Sequence, residues 1–175
     1  YNGLGLPKQH IQVGAASNSG RNIVTPLMYD AMLRSNTREY LPYVSASNST
    51  AVQDSQPVSA QADYYKSVFS VDEDAPYIKN IAEVSSSRIL KSTLQGHILH
   101  NSGKGTSTQY LINGNNEVPL LTVNVDNVTF GGHYPAGTLY KNTVVSPDNI
   151  TSTTYTDKSG NVVMQKVQNQ GLSIL

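Results

Sequence analysis

Several groups of side chains in this 175-residue chain are of types that could do chemistry. His97 and His100 stand three apart, a spacing that on a helix would turn two imidazoles toward one metal ion. The surrounding Gly96-His97-Ile98-Leu99-His100 reads as a strand, where that separation sends the rings to opposite faces. His10 and His133 stand alone, so surface or half-buried histidines are the expectation at all these positions. Asp72, Glu73 and Asp74 offer the hard oxygens that calcium takes, without the full ligand spacing of a calcium loop; they read as a solvated acidic loop. Gly103-Lys104 suggests a phosphate loop, but no glycine precedes the pair at the required distance and Gly105 stands where Ser or Thr belongs. No Gly-x-Ser-x-Gly elbow singles out a serine. The lack of cysteine removes thiol nucleophiles, disulfides and thiolate zinc sites together. Asn48, Asn127 and Asn149 each open an Asn-x-Ser/Thr acceptor, a chance outcome in so Asn- and Thr-rich a chain. The expectation is a protein with no catalytic residues, no metal and no cofactor.

The elements that would have to position such groups are mostly strands. Eleven tyrosines against two phenylalanines and no tryptophan suit half-buried β surfaces, where the ring packs and the hydroxyl finds a partner. Twelve basic and twelve acidic residues cancel, leaving no electrostatic footprint for nucleic acid or anionic lipid. No apolar run approaches the roughly 18–20 residues of a spanning helix, so membrane insertion is not expected. One short helix is predicted near 59–69, with Ser59 as its cap and Tyr64, Tyr65, Val68 and Phe69 on an apolar side. Strands are expected at Ile11 and Val13, around Ile23-Val24-Thr25, at Arg38 to Tyr43, and repeatedly from Ile78 onward. Pro26 belongs on an edge or at a bulge. Residues 44–58 read as a polar loop, and no linker divides the chain, which suggests a single module over 1–175.

One stretch recurs. Tyr1-Asn2-Gly3-Leu4-Gly5-Leu6-Pro7 reads as a tight turn feeding a strand, with Gly3 and Gly5 free to take positive φ and Pro7 fixing an extended exit. A related pattern returns at Tyr29-Asp30-Ala31-Met32-Leu33-Arg34. It returns again at Tyr155-Thr156-Asp157-Lys158-Ser159-Gly160-Asn161, where Asp157 can accept from turn N–H groups and Gly160 can take the left-handed position. Tyr1, Gly3, Gly5, Pro7, Tyr29, Asp30, Tyr155, Asp157 and Gly160 are therefore read as a structural repeat: tyrosine stacks on a neighbouring hairpin, the acid or amide satisfies the turn, and glycine permits it.

Tyr1 to Pro7 also resembles the Tyr-Asp-Gly-Leu-Gly-Arg-Pro form of the YD repeat of bacterial Rhs proteins. The rest of the chain is similar to the domain of unknown function that precedes such repeats in large secreted proteins of some Gram-negative bacteria. The resemblance runs in order through Ile23-Val24-Thr25-Pro26, Glu39-Tyr40-Leu41-Pro42-Tyr43, Ser59 to Ala62, Ala75-Pro76-Tyr77, Ser87 to Leu90, Asn116-Glu117-Val118, Tyr134 to Lys141 and Asp157 to Gly160. Asn2 replaces the usual acid, Leu6 the usual arginine and Leu33 a glycine. The resemblance implies a mainly β fold of consecutive antiparallel hairpins in a curved sheet. It further implies a piece of a larger secreted or outer-surface protein of a Gram-negative bacterium, partnered by the YD repeats that follow it in the same polypeptide. In such proteins a β shell encloses or presents a C-terminal effector, often a toxin. The rival expectation is a surface adhesion module binding glycan or a protein partner through exposed tyrosines and polar loops.

Overall fold

A computed structural model describes residues 1–17, 19–46, 55–69, 73–125 and 127–168. Among these the chain is mainly β, every strand pairing described being antiparallel, with two helices. It divides into two compact units, 1–105 and 106–175.

In the first unit β1 (Gln9–Gln12), β2 (Ile23–Pro26) and β4 (Tyr43–Val44) form a small sheet with β2 in the middle. β3 (Arg38–Tyr40) and β6 (Ile89–Thr93) flank β5 (Tyr77–Ala82). Val24 and Pro26 alternate inward along β2, and Tyr40 and Tyr43 are buried from the neighbouring strands. The helix α1 (Pro57–Phe69) opens on proline, whose fixed φ suits a first helical position where no N–H is needed. Its anchor is Gln61, fully buried, whose amide donates to the carbonyls of Leu41 and, at 3.1 Å, of Pro76. A one-turn helix, α2 (His97–Asn101), follows β6 between Gly96 and Gly103, both at positive φ.

In the second unit β7 (Gly105–Ile112), β10 (Tyr140–Val145), β11 (Thr151–Thr156) and β12 (Val162–Gln168) lie side by side in the order β7-β10-β11-β12. Val118, Leu139 and Tyr155 form the core, with Tyr134, Val163 and Met164 packed around them. β8 (Pro119–Asn124) and β9 (Asn127–His133) form a separate two-stranded ribbon.

The structure corrects several expectations. Residues 97–101 are helical, because a short apolar run carries no period that separates strand from helix, and the flanking positive-φ glycines cut it off from β6. The helix at 57–69 starts two residues before Ser59, which lies inside the first turn and not at the cap. Of its expected apolar side Tyr64 and Tyr65 are half-buried, Tyr64 lying 6.1 Å from Tyr43, whereas Val68 and Phe69 are exposed; the buried residues of the helix are Pro57 and Gln61. Val13 is exposed beyond the end of β1. Pro26 ends the central strand of its sheet; it pairs with Gln9 on one side, while β4 reaches only Ile23 and Val24 on the other. The expected return strand at 38–43 is two strands, parted at Leu41-Pro42, that join different partners. Asp72, Asp126 and much of the 44–58 loop lie outside the described residues.

Candidate functional site

The recurring turn is one geometry used four times among the described residues. In each case the residue at position i donates its N–H to the carbonyl of i+4, and the N–H of i+3 donates back to the carbonyl of i. The distances are 2.7 and 3.0 Å for Asn2 to Leu6, 3.1 and 3.0 Å for Asp30 to Arg34, and 2.9 and 3.1 Å for Asp157 to Asn161. The residue at i+3 is left-handed every time: Gly5 (φ 74°), Leu33 (φ 61°), Gly160 (φ 86°). This is a type I turn closed by one left-handed residue, a common three-residue hairpin loop.

The side chain at i fills the inside of the turn. Asn2 Oδ1 accepts from the N–H groups of Leu4 and Leu6, Asp30 Oδ1 from Met32 and Arg34, and Asp157 Oδ1 from Ser159 and Asn161, all at 2.8–2.9 Å. The bond from the Arg34 N–H holds the Asp30 carboxyl below its ordinary value, and that from the Asn161 side chain does the same for Asp157. The fourth copy, Ser146 to Ile150, has Asn149 left-handed at 62° and a serine hydroxyl accepting from the Ile150 N–H at 3.1 Å. It carries neither tyrosine nor glycine, so the Tyr-Asp pattern passes over it; its legible signal is Ser-Pro at the turn's first two positions.

Within this set the residues diverge from their expected roles. Gly5 carries the positive φ and Gly3 does not. Tyr1 is almost fully exposed and stacks on nothing among the described residues. Leu33, in place of the expected glycine, keeps the left-handed backbone at a strain of about 1–2 kcal/mol. What holds that turn shut is Arg34: its Nε donates to Asp30 Oδ2 at 2.7 Å, and its Nη1 to the carbonyls of Glu83 and Ser86 at 2.9 and 2.8 Å. One guanidinium thus fastens the 30–34 turn to the turn between β5 and β6.

Tyr155 is the one tyrosine of the motif that is buried, at 1% exposure, and its environment is ionic as well as apolar. Its hydroxyl donates to Glu117 Oε1 at 2.7 Å, Lys141 donates to the same oxygen, and the Gly114 N–H donates to Oε2 at 2.7 Å. Lys166 donates to the Glu117 carbonyl, and both ammonium groups lie over the Tyr155 ring, at 5.8 Å for Lys141 and 5.6 Å for Lys166. Lys141 above all, then Gly114 and Tyr155, hold the Glu117 carboxyl down at about 2. Burial, then the bond to Glu117, pushes the Tyr155 hydroxyl up. Beside this cluster Asn113, also buried, accepts from the Leu139 N–H and donates to the Pro135 carbonyl, so its side chain clamps the 135–139 loop. These bonds hold the 113–118 connection to β10, β11 and β12, and a carboxylate kept this acidic is a poor general base at neutral pH.

Of the groups with potential chemistry, His97 and the acidic loop meet while His100 stands apart. His97 Nδ1 lies 2.9 Å from Asp74 Oδ1, while His100 packs edge-on against Tyr77. Among the described residues no three His, Asp or Glu side chains converge on a common point. Glu73 accepts from the Ala75 and His97 N–H groups, an ordinary loop role. Beside α1 an open cleft of about 230 Å³ is walled by Tyr43, Tyr64, Tyr65 and Phe69, with Tyr65 and Phe69 stacked at 5.8 Å. The Tyr65 hydroxyl donates to the Pro42 carbonyl at 2.8 Å. No described helix is long and apolar enough to cross a membrane.

Residues 1–112, which include the whole first unit, match the model of a family described as a domain of unknown function, DUF6443. No curated protein and no solved structure matches the chain.

Proposed function

We propose that this chain, which belongs to the DUF6443 family, is a non-enzymatic structural module of a secreted or cell-surface protein of the Rhs, or YD-repeat, kind. In this reading its hairpins contribute to a β shell that encloses or presents a C-terminal effector such as a toxin, and its partner is the remainder of the same polypeptide. The observation that carries the proposal is the turn used four times with one hydrogen-bond scheme, its acid, amide or hydroxyl turned inward and consumed by backbone N–H groups. A Tyr-Asp pair whose carboxylate is spent inside its own turn builds structure and leaves no free ligand group, and repeated units of this sort bury their faces by stacking on the next.

β12 is the strand on which such stacking acts, since Val162 and Val167 are exposed on it and it lies last in its sheet among the described residues. Hydrogen exchange across residues 162–168 tests the idea, compared between the 175-residue chain and the full gene product. Protection that rises in the full product supports the shell. Equal and strong protection in the 175-residue chain, at a concentration where it is monomeric, shows a sheet complete by itself and removes the physical basis of the proposal.

A surface-adhesion module is the second reading, favoured by the aromatic cleft beside α1. Sugars stack on ring faces of this sort, but they also need convergent polar groups. A glycan array, with Tyr64→Ala as the control, separates the two.

A further inference from the structure

The ribbon of β8 and β9 is the part of the second unit whose sequence and surroundings disagree most. Its register pairs Leu121 with Phe130 and Val123 with Val128 on one face, and Thr122 with Thr129 and Asn124 with Asn127 on the other. A half-buried hairpin would turn its apolar face to a core. Here Leu121, Val123, Val128 and Phe130 are 58%, 74%, 63% and 64% exposed, and the ribbon joins no other sheet among the described residues. A lone two-stranded ribbon is marginal in water unless that face is covered.

We infer that the apolar face of the β8–β9 ribbon docks on the same face of a second copy of this chain. Three features choose that occupant. Residues 119–133 hold a single acid, Asp126, and no Glu, Lys or Arg, so the four apolar side chains of this face carry no charge to repel their own duplicate. The face is also stepped, with one large row, Leu121 and Phe130, beside one small row, Val123 and Val128. A two-fold axis between the rows lays the large row of each copy over the small row of the other, as facing sheet layers interdigitate. Finally, covering these four side chains in both copies removes on the order of 1,000 Å², the size at which specific association begins. The Thr and Asn face stays in water. The ribbon's outer edges contribute less, because the register shift between Pro119 and Leu121 and the positive φ of Gly132 break the ladder at its base. Face packing, and not strand addition, is therefore the mode. The inference stands apart from the shell proposal, which concerns β12.

Sedimentation equilibrium on the 175-residue chain tests it, together with Phe130→Trp, which introduces the only tryptophan. A reversible dimer is expected, with tryptophan emission shifting to the blue over the same concentration range. Val123→Lys should weaken the dimer by at least about tenfold, since each copy places a charge in a dry contact. Val123 is largely exposed, so an unchanged thermal melt at low concentration serves as the folding control. Val162→Lys on β12 should leave the dimer intact, which separates this contact from association through that edge. A chain that stays monomeric to about 500 µM, near the weak end of measurable affinity, overturns the inference and assigns the face to another occupant. A dimer indifferent to Val123→Lys, or one lost with Val162→Lys, overturns it equally.

Discussion

Gly160 offers the cleanest perturbation of the shared turn. Its φ of 86° is left-handed, and a Cβ built on it meets no atom within 4 Å. Any cost of adding a side chain there is therefore backbone strain and not collision. For alanine the strain of about 1–2 kcal/mol is partly offset by the smaller entropy of the unfolded chain, about 0.4–1 kcal/mol, leaving a net loss of about 0.5–1 kcal/mol. Valine adds β-branching at the same backbone and should cost about 1–2 kcal/mol or more. Asparagine tolerates this region, as Asn149 does at 62° in the equivalent place, so Gly160→Asn should cost least of the three. Urea melts of the wild type and the three variants, read by tyrosine fluorescence, give the order Asn, Ala, Val in increasing loss. Exchange of the Asp157–Asn161 amides reports whether the damage is local. A neutral Gly160→Val, or Ala and Asn alike, would refute the left-handed turn and with it the equivalence of the four copies.

Glu117 should carry part of the acid sensitivity: its folded carboxyl titrates near 2 against an ordinary 4.5, so its contribution is whole above pH 4.5 and is lost as pH falls toward 2. Discounted for its residual exposure to water, this is about 2 kcal/mol, and Glu117→Gln should flatten that part of the stability profile in urea melts taken from pH 2 to 6. Arg34→Lys cannot bridge Asp30 and the Glu83 and Ser86 carbonyls together, and should lose about 1–3 kcal/mol with faster exchange at residues 83–88. Gly105→Ala should be far worse than any turn variant, because its Cβ would lie 2.0 Å from the Ser92 carbonyl oxygen; soluble, folded Gly105→Ala by circular dichroism would contradict the close approach. Peptide, ester and glycoside substrates should show no turnover, and turnover abolished by His97→Ala or Glu117→Gln would overturn the non-enzymatic reading.

The parts of this fold that could be read in the chain are those settled by neighbours in sequence. Asp157-Lys158-Ser159-Gly160 announces its turn because acceptor, donors and left-handed residue all fall within five positions, and the β11–β12 hairpin follows from it. Asp30 and Arg34 pair four residues apart for the same reason. The other half of Arg34's role, its bonds to carbonyls about fifty residues later, has no local pattern. Nor does the Glu117 cluster: Lys141, Tyr155 and Lys166 come from three different strands, and only the register of β10, β11 and β12 brings them to one carboxylate and its peptide. Tyr155 was legible as a structural residue but not as the floor beneath two lysines. The misread helix at 97–101 is the converse failure, since five residues are too few for a period to show and the flanking glycines decide. Leu33 joins the two kinds of information. From sequence it is a departure from the glycine its turn calls for, and from structure it is a left-handed leucine. What tolerates it is an arginine one position on, tied to a turn that local reasoning could not reach. A divergent copy of the turn persists where tertiary bonds offset its strain, which is why the motif is better defined by hydrogen bonds than by its letters.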